Sequence, residues 1–367
     1  MSQNFKILFD YSIFFHQPLG GISRYVINLN NKLIENNIDS RILSPIHKNR
    51  FLKELVSCKI NKFVDNFPKN TLTLSRGYNN ILTSIYLQIF KPNIIHKTYY
   101  GEKYFVNKKA KKVLNVYDLI HEKFYQDYNQ SKNSLPKKKS LINADIIICP
   151  SINTKNDLIE IYRVKENKIK VINIGISDFK NISYQNEDRL DYPYLLYVGY
   201  RGKYKNFKNL VIAIGKSKRI LNDFKIVCFG GGKFSNEEKN LIQNNNLNID
   251  NFIQIEGDDL KLTSLYKNAR AFLFPSIYEG QGLPQLEAMS FGCPVISSNQ
   301  EAILEATGDS AVLFDPMNVE DIKFKIENTI YSEDKIEYFK KKSLNRSKLF
   351  TMDRCFEETL KTYKEII

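Results

Sequence analysis

Between Ala271 and Ser298 the chain reads AFLFPSIYEGQGLPQLEAMSFGCPVISS, and few folds can accommodate that order. Ala271 to Phe274 is an apolar run too short for a helix, and Pro275, Gly280, Gly282 and Pro284 then break it. Apolar spacing resumes at Leu286, Met289 and Phe291, until Gly292 and Pro294 stop it and Val295 and Ile296 extend again. The pattern is strand, tight loop, helix, strand. Pro284 suits a first helical turn, where a missing N–H costs nothing. The loop therefore opens onto a helix N-terminus, whose unpaired N–H groups and partial positive charge suit a phosphate. Glu279 in the loop and Glu287 on the helix flank that point. A carboxylate would repel phosphate but accepts hydrogen bonds from sugar hydroxyls.

The same unit recurs. FKILFD leads into HQPLGGISRYVINLNNKL, where Gly20 and Gly21 close a loop, Ser23 is a candidate cap, and Ile22, Tyr25, Val26 and Leu29 have helical spacing. A strand from Tyr194 to Val198 ends at Gly199, and a helix starts at Asn206 or Phe207, so Arg201 and Lys205 sit in the connection. KIVCFGGG is a strand running into Gly230, Gly231 and Gly232. Strands that alternate with glycine loops and helices predict doubly wound α/β layers, with ligands at the strands' C-terminal ends. An Arg and a Lys between strand and helix suit a diphosphate, the one as a planar fork and the other as a compact charge. With 367 residues the chain is long for one core. The expected division is a basic first domain over 1–180, a polar linker over 181–192, a second domain over 193–350, and a closing helix over 351–367 that crosses back to the first domain.

At Glu279, Gly280, Gly282, Leu283, Pro284, Glu287, Ala288, Met289, Gly292, Pro294, Val295 and Ile296 the chain resembles the retaining nucleotide-sugar glycosyltransferases of family 4, whose signature runs EGxGLPxxEAMxxGxPVI. VGYRGKYKNF is similar to that family's phosphate-binding loop, and FDYSIFFHQPLGGISRY resembles its mannosyltransferase-type branch in bacterial polysaccharide synthesis. ADIIICPSINTKNDL and GDSAVLFDP match in their places, while residues 41–90 carry no match. Within 41–90, FLKELVSCKINKFV is expected to be a helix whose apolar face meets the core, with a membrane as the second reading. The resemblance implies the GT-B architecture, two Rossmann-like doubly wound domains facing across a cleft. It also implies transfer of a hexose, mannose first, from a nucleotide diphosphate sugar to a lipid-linked saccharide in O-antigen or capsule assembly. GDP-mannose is the first donor to test, ahead of UDP- and dTDP-sugars. The implied catalytic residues are Arg201, Lys205 and Glu279, and the implied donor-binding residues are Gly20, Gly21, Gly199, Gly230, Gly280, Gly282, Leu283 and Glu287. Asp118, His121 and His96 fall on the acceptor or sugar side. Many relatives carry a His just before that Asp; here Tyr117 occupies the place and His121 follows, in a VYDLIHE segment resembling the branch's VYDMIHE form.

Charge separates the two halves. Residues 1–190 hold 30 Lys and Arg against 16 Asp and Glu, a net of +14, whereas residues 191–367 hold 24 against 24. The densest runs are Lys108, Lys109, Lys111 and Lys112, then Lys137, Lys138 and Lys139. Such a half suits an anionic membrane surface, which brings the protein to a lipid-linked acceptor. No nucleic-acid module is recognisable in it, so nucleic acid is not an expected partner. An idle nucleotide-sugar-binding protein is the other alternative, but such a chain is expected to have lost Arg201, Lys205 or Glu287. Asp258 and Asp259 invite a metal, yet an Asp-rich first helical turn explains them, so no metal or other cofactor is expected. The five cysteines are scattered without a C-x-x-C, which suits reduced thiols in a cytosolic protein. The N-terminus carries no secretory signature and no 18-residue apolar run occurs. The expected location is therefore cytoplasmic, peripheral on the inner face of the membrane.

Overall fold

Two six-stranded parallel sheets organise the computed structural model, which describes residues 5–53, 61–100, 109–124, 126, 134–176 and 189–367. Their strands are short runs such as KILF, IIIC, YLLYV and AFLF, apolar throughout because both faces of a parallel sheet are covered by helices. The chain divides into two units, Met1–Ser177 with Met352–Ile367, and Asp178–Thr351. Of the expected linker, residues 181–188 lie outside the described residues.

In the first unit the strands of the six-stranded sheet are β1 (Lys6–Phe9), β2 (Asp39–Ile42), β3 (Ile94–Lys97), β4 (Lys111–Asn115), β5 (Ile146–Cys149) and β6 (Ile169–Val171), and they lie in the order β2-β1-β3-β4-β5-β6. Helix α1 (Gly21–Glu35) follows β1, and the long helix α2 (Leu72–Phe90) precedes β3. Leu8, Phe15, Leu43, Leu87, Phe90 and Ile95 form the core between the sheet and α2. Leu114, Leu141, Ile147 and Leu158 form a second core cluster, under β4 and β5. The helix expected over FLKELVSCKINKFV falls partly outside the described residues; what is described there is a single turn, Arg50–Lys53, and a two-residue strand, Lys62–Phe63.

The C-terminal helix Met352–Ile366 packs on α1 and belongs to this first unit. It buries Met352, Cys355, Phe356, Thr359, Thr362 and Tyr363, one stripe at helical spacing. Tyr363 reaches His96 on β3: its hydroxyl bonds the ring Nδ1, while Nε2 lies 3.1 Å from Asn115 Oδ1. With an amide oxygen on Nε2, the proton sits there and Nδ1 accepts from Tyr363. His96 is fully buried, so burial pushes its pKa from 6.5 down to about 4. A histidine kept neutral this way contributes stability that is present in full above pH 6.5, falls as the unfolded chain protonates below it, and is lost once pH has passed about 4. Each pH unit in that window is expected to cost the first unit about 1.4 kcal/mol from this group. Urea unfolding at pH 7 and pH 5 checks this against His96→Phe, which is expected to have the shallower pH dependence.

The second unit repeats the plan with β7 (Tyr194–Val198), β8 (Lys225–Phe229), β9 (Phe252–Ile255), β10 (Ala271–Phe274), β11 (Val295–Ser298) and β12 (Val312–Phe314), ordered β9-β8-β7-β10-β11-β12. Its helices include α3 (Phe207–Gly215), α4 (Asn236–Asn244) and α5 (Leu283–Ser290). Leu195, Tyr197, Phe207, Leu210, Leu273 and Ile296 are among the residues of its core. The strand order reverses at β7, which pairs with β8 on one side and β10 on the other. In an open α/β sheet, the loops leaving two strands at such a reversal are where a ligand crevice forms. Those loops are Gly199–Asn206 and Pro275–Gly282.

Candidate functional site

The two loops are fastened together by a backbone bond and by the Asn206 side chain. Ile277 N–H donates to the Tyr204 carbonyl at 2.8 Å, and Asn206 Nδ2 donates to the carbonyls of Pro275 at 3.1 Å and Pro316 at 2.8 Å. Asn206 is itself in the left-handed region, φ 57°, a conformation asparagine tolerates better than most residues. That clamp brings Lys205 and Glu279 into contact, with Nζ 2.6 Å from Oε1 and the side chains only 14% and 10% exposed. The ammonium also stands 5.4 Å from the Phe274 ring centroid. A close ion pair on a half-apolar floor is little screened by water.

Helix α5 starts beside this pair. Its N-cap is Gly282 at φ +81°, and Pro284 lies in its first turn, as the sequence predicts. That φ lies in the left-handed region that favours glycine, and a Cβ there would also crowd the Gln285 side-chain nitrogen at 2.6 Å and the Phe274 ring at 3.2 Å. Gln285 is in turn held by the Ser297 hydroxyl at 2.9 Å. One turn along, Glu287 accepts from the Tyr266 hydroxyl at 3.2 Å, and Tyr266 stacks on Phe291. Lys205, Glu279, Gly280, Gly282, Leu283 and Glu287 are thus gathered around one helix N-terminus, where N–H groups without intrahelical partners favour negative charge.

Arg201 corrects the expectation that it offers its guanidinium to a diphosphate. It is 4% exposed and points into the protein: Nε donates to Glu238 at 2.8 Å, Nη1 to the Gly230 carbonyl at 3.0 Å, and Nη2 to the Gly232 carbonyl at 2.7 Å. The fork lies over the Phe234 ring at 4.5 Å. Nη1 and Nη2 both donate to the glycine loop after β8, in which Gly230, Gly231 and Gly232 have φ of 72°, 72° and 75°. A Cβ at Gly231 would meet the Gly199 carbonyl at 2.5 Å. Arg201 is a positioning residue that holds this loop against Gly199. Its partner Glu238 was missed from sequence, although a signal was present: Ser235 and Glu238 form a capping box at the start of α4.

In the first unit the expected residues lie on or after three strands of the sheet, β1, β3 and β4. Gly20 is the N-cap of α1 and Gly21 its first residue. Ser23 does not cap; its hydroxyl donates to the Gly20 carbonyl at 3.0 Å, and the Gln17 side chain accepts from Ser23 N–H at 3.1 Å. Asp118 and His121 follow β4, both partly buried, with Asp118 Oδ1 accepting from Ile120 N–H at 3.1 Å. His96 contradicts its expected sugar-side role, since its ring is buried and engaged by Tyr363 and Asn115. Tyr117, in place of the family His, is buried too, donating to the Thr98 carbonyl at 3.1 Å. Lys137 also departs from the basic surface run. It is buried against Glu122 at 2.9 Å, a carboxylate that also accepts from Tyr162 at 2.6 Å. Lys138 and Lys139 remain exposed. In the second unit, Asp258 caps the helix Asp259–Asn268, accepting from Lys261 N–H at 3.0 Å, as an Asp-rich first turn should.

The chain is similar to known proteins along most of its length. The model described as "Glycosyltransferase Family 4" matches residues 19–178, and the one described as "Glycosyl transferases group 1" matches residues 178–346. The O-antigen chain mannosyltransferase B of Escherichia coli is 39% identical over 106 residues, 29% of this chain and 28% of that protein. An uncharacterised glycosyltransferase of Methanocaldococcus jannaschii is 30% identical over 231 residues, 62% of each chain. The match therefore spans less than two thirds of the length of either relative. Among solved structures, sucrose-phosphate synthase from Thermosynechococcus elongatus superposes with a TM-score of 0.76 at 18% identity, covering 99% of both chains, which makes the fold GT-B. With the two family models meeting at residue 178 and together running from 19 to 346, the chain belongs to the family 4 glycosyltransferases.

Proposed function

We propose that the protein is a retaining, metal-independent glycosyltransferase that moves a hexose from a nucleotide diphosphate sugar to a lipid-linked saccharide in bacterial surface-polysaccharide assembly. Mannose from GDP-mannose is the first choice, supported by the similarity to an O-antigen chain mannosyltransferase. The observation that carries the reading is the meeting of Lys205, Glu279 and the N-terminus of α5, 2.6 Å apart in the case of the ion pair. An arriving diphosphate takes over the Lys205 ammonium and the free N–H groups at Gly282 and Leu283, and Glu279 is released to accept from donor-sugar hydroxyls. Glu287, held by Tyr266, accepts from the ribose hydroxyls. Catalysis then consists of positive charge placed where negative charge develops on the leaving diphosphate. The acceptor oxygen bonds the anomeric carbon on the face the diphosphate leaves, the C–O bond to phosphate breaks, and the acceptor proton passes to the departing phosphate oxygen. Asp118 and His121 are the residues proposed for the acceptor side, on a peripheral, cytoplasmic membrane surface.

Turnover of GDP-mannose and of UDP- and dTDP-sugars, with and without a chelator, tests this. One donor is expected to be consumed with its anomeric configuration kept in the product and with no loss in chelator. Inverted product, or turnover only with an added divalent ion, would overturn the mechanism.

A further inference from the structure

Behind Asp118 and His121 lies an ion pair closed off from solvent. Lys137 Nζ stands 2.9 Å from Glu122 Oε2, and the two side chains are 1% and 3% exposed. Each comes from a different element: Glu122 from the short helix Ile120–Lys123 that follows β4, and Lys137 from the helix Ser134–Asn143. A third element joins them, since Tyr162 at the end of the helix Ile152–Tyr162 donates its hydroxyl to Glu122 Oε1 at 2.6 Å. The same helix supplies Asp157, which pairs with Lys123 at 2.6 Å.

Burying two ions costs free energy that their attraction only partly returns, and apolar side chains of like volume usually serve stability as well or better. Stability is therefore a poor account of the pair. What an ammonium does that an apolar chain cannot is hold polar atoms in fixed places, and Lys137 holds one in the turn after β4. Its Nζ lies 3.4 Å from the Asp118 carbonyl oxygen, which also accepts from the Tyr100 hydroxyl at 3.3 Å, while the Tyr100 ring sits 4.3 Å from the ammonium. Asp118 Oδ1 meanwhile accepts from Ile120 N–H at 3.1 Å. The turn is thus fastened at Asp118, Glu122 and Lys123, and the partly exposed side chains of Asp118 and His121 are carried on it.

We infer that Lys137 is a positioning residue: with Glu122 it sets the pose in which the turn after β4 offers Asp118 and His121 to the acceptor saccharide. The inference rests on the acceptor-side placing proposed above and goes beyond it in naming what holds those residues. Both partners lie in the first unit, and donor hydrolysis without acceptor reports separately on the donor site.

The double variant Glu122→Leu, Lys137→Met tests it, because it removes both ions and leaves neither charge buried alone. Tyr162 is partly exposed, so water can take its hydroxyl. The urea midpoint and the donor hydrolysis of this variant are expected to match wild type. The chain has four histidines, His16, His47, His96 and His121, so isotope labelling of their rings gives a simple magnetic resonance spectrum, in which His121→Gln identifies the His121 signal. Wild-type protein is expected to show a single His121 signal, and the double variant a broadened or split one, with the other three unmoved. With octyl α-mannoside as acceptor, kcat/KM is expected to fall about 10- to 100-fold, the cost of misplacing groups by about 1 Å. A His121 signal identical to that of wild type would overturn the inference. So would a changed signal with kcat/KM for octyl α-mannoside unaltered, since the pose would then not matter to the acceptor, and so would a clear loss of stability, since the pair would then be serving the fold. Absence of donor hydrolysis by the wild type would instead strike the proposed transferase, and the His121 signal would still decide the positioning.

Discussion

Replacing Lys205 with alanine is expected to lower donor turnover by about 100- to 1,000-fold, the loss seen when one preorganised charge-stabilising donor is removed. The loss should fall on kcat more than on KM, because the diphosphate's extra charge develops in the transition state. Lys205→Arg is not expected to restore it. The site between Glu279, 2.6 Å away, and the Phe274 ring is shaped around a compact ammonium, and a guanidinium is broader and planar. Far-ultraviolet circular dichroism should be unchanged, since the clamp between the two loops runs through Tyr204 and Asn206 rather than Lys205. Steady-state kinetics with the accepted donor measures the effect. Unchanged turnover would remove Lys205 from the chemistry.

Arg201→Ala is expected to act through stability, destabilising the second unit by about 1 to 3 kcal/mol, the cost of leaving partly buried acceptors without their donor. The side chain is 1% exposed, and its loss would leave the carbonyls of Gly230 and Gly232 without this donor and Glu238 with only the Ser235 N–H of its capping box. Arg201→Lys keeps the charge but cannot reach Glu238 and both carbonyls at once, so it is expected to recover little. Urea unfolding of each variant is the measurement. A variant as stable as wild type that has nevertheless lost donor binding would return Arg201 to the role of a direct phosphate ligand.

The parts of the fold that could be read in the sequence are those with local causes. Strands that end in glycine, such as YLLYVG and KIVCFGGG, are recognisable because a strand buried on both faces must be apolar throughout and its exit loop must turn sharply. The start of α5 could be read from Gly282 and Pro284, and the cap at Asp258 from its place before a helix. The misreadings share a cause, which is a partner far away in the chain. His96 ends a strand at the sheet's functional edge, but Tyr363, 267 residues later, turns it inward. Arg201 follows a strand as a phosphate ligand would, yet its acceptors come from the loop after the next strand. Lys137 stands in a run of three lysines, and Glu122, from another segment, takes it into the interior.

Calorimetric titration of GDP-mannose, and of UDP- and dTDP-sugars, into wild-type protein and into Glu287→Ala bears most directly on the claim that the N-terminus of α5 is the donor site. Glu287 is partly exposed, so the fold should survive the change. Wild-type protein is expected to bind one of these donors, and the variant to bind it at least about tenfold more weakly, as expected when a hydroxyl pair loses its carboxylate. Equal binding by the variant, or no binding of any donor by the wild type, would contradict the assignment of the site.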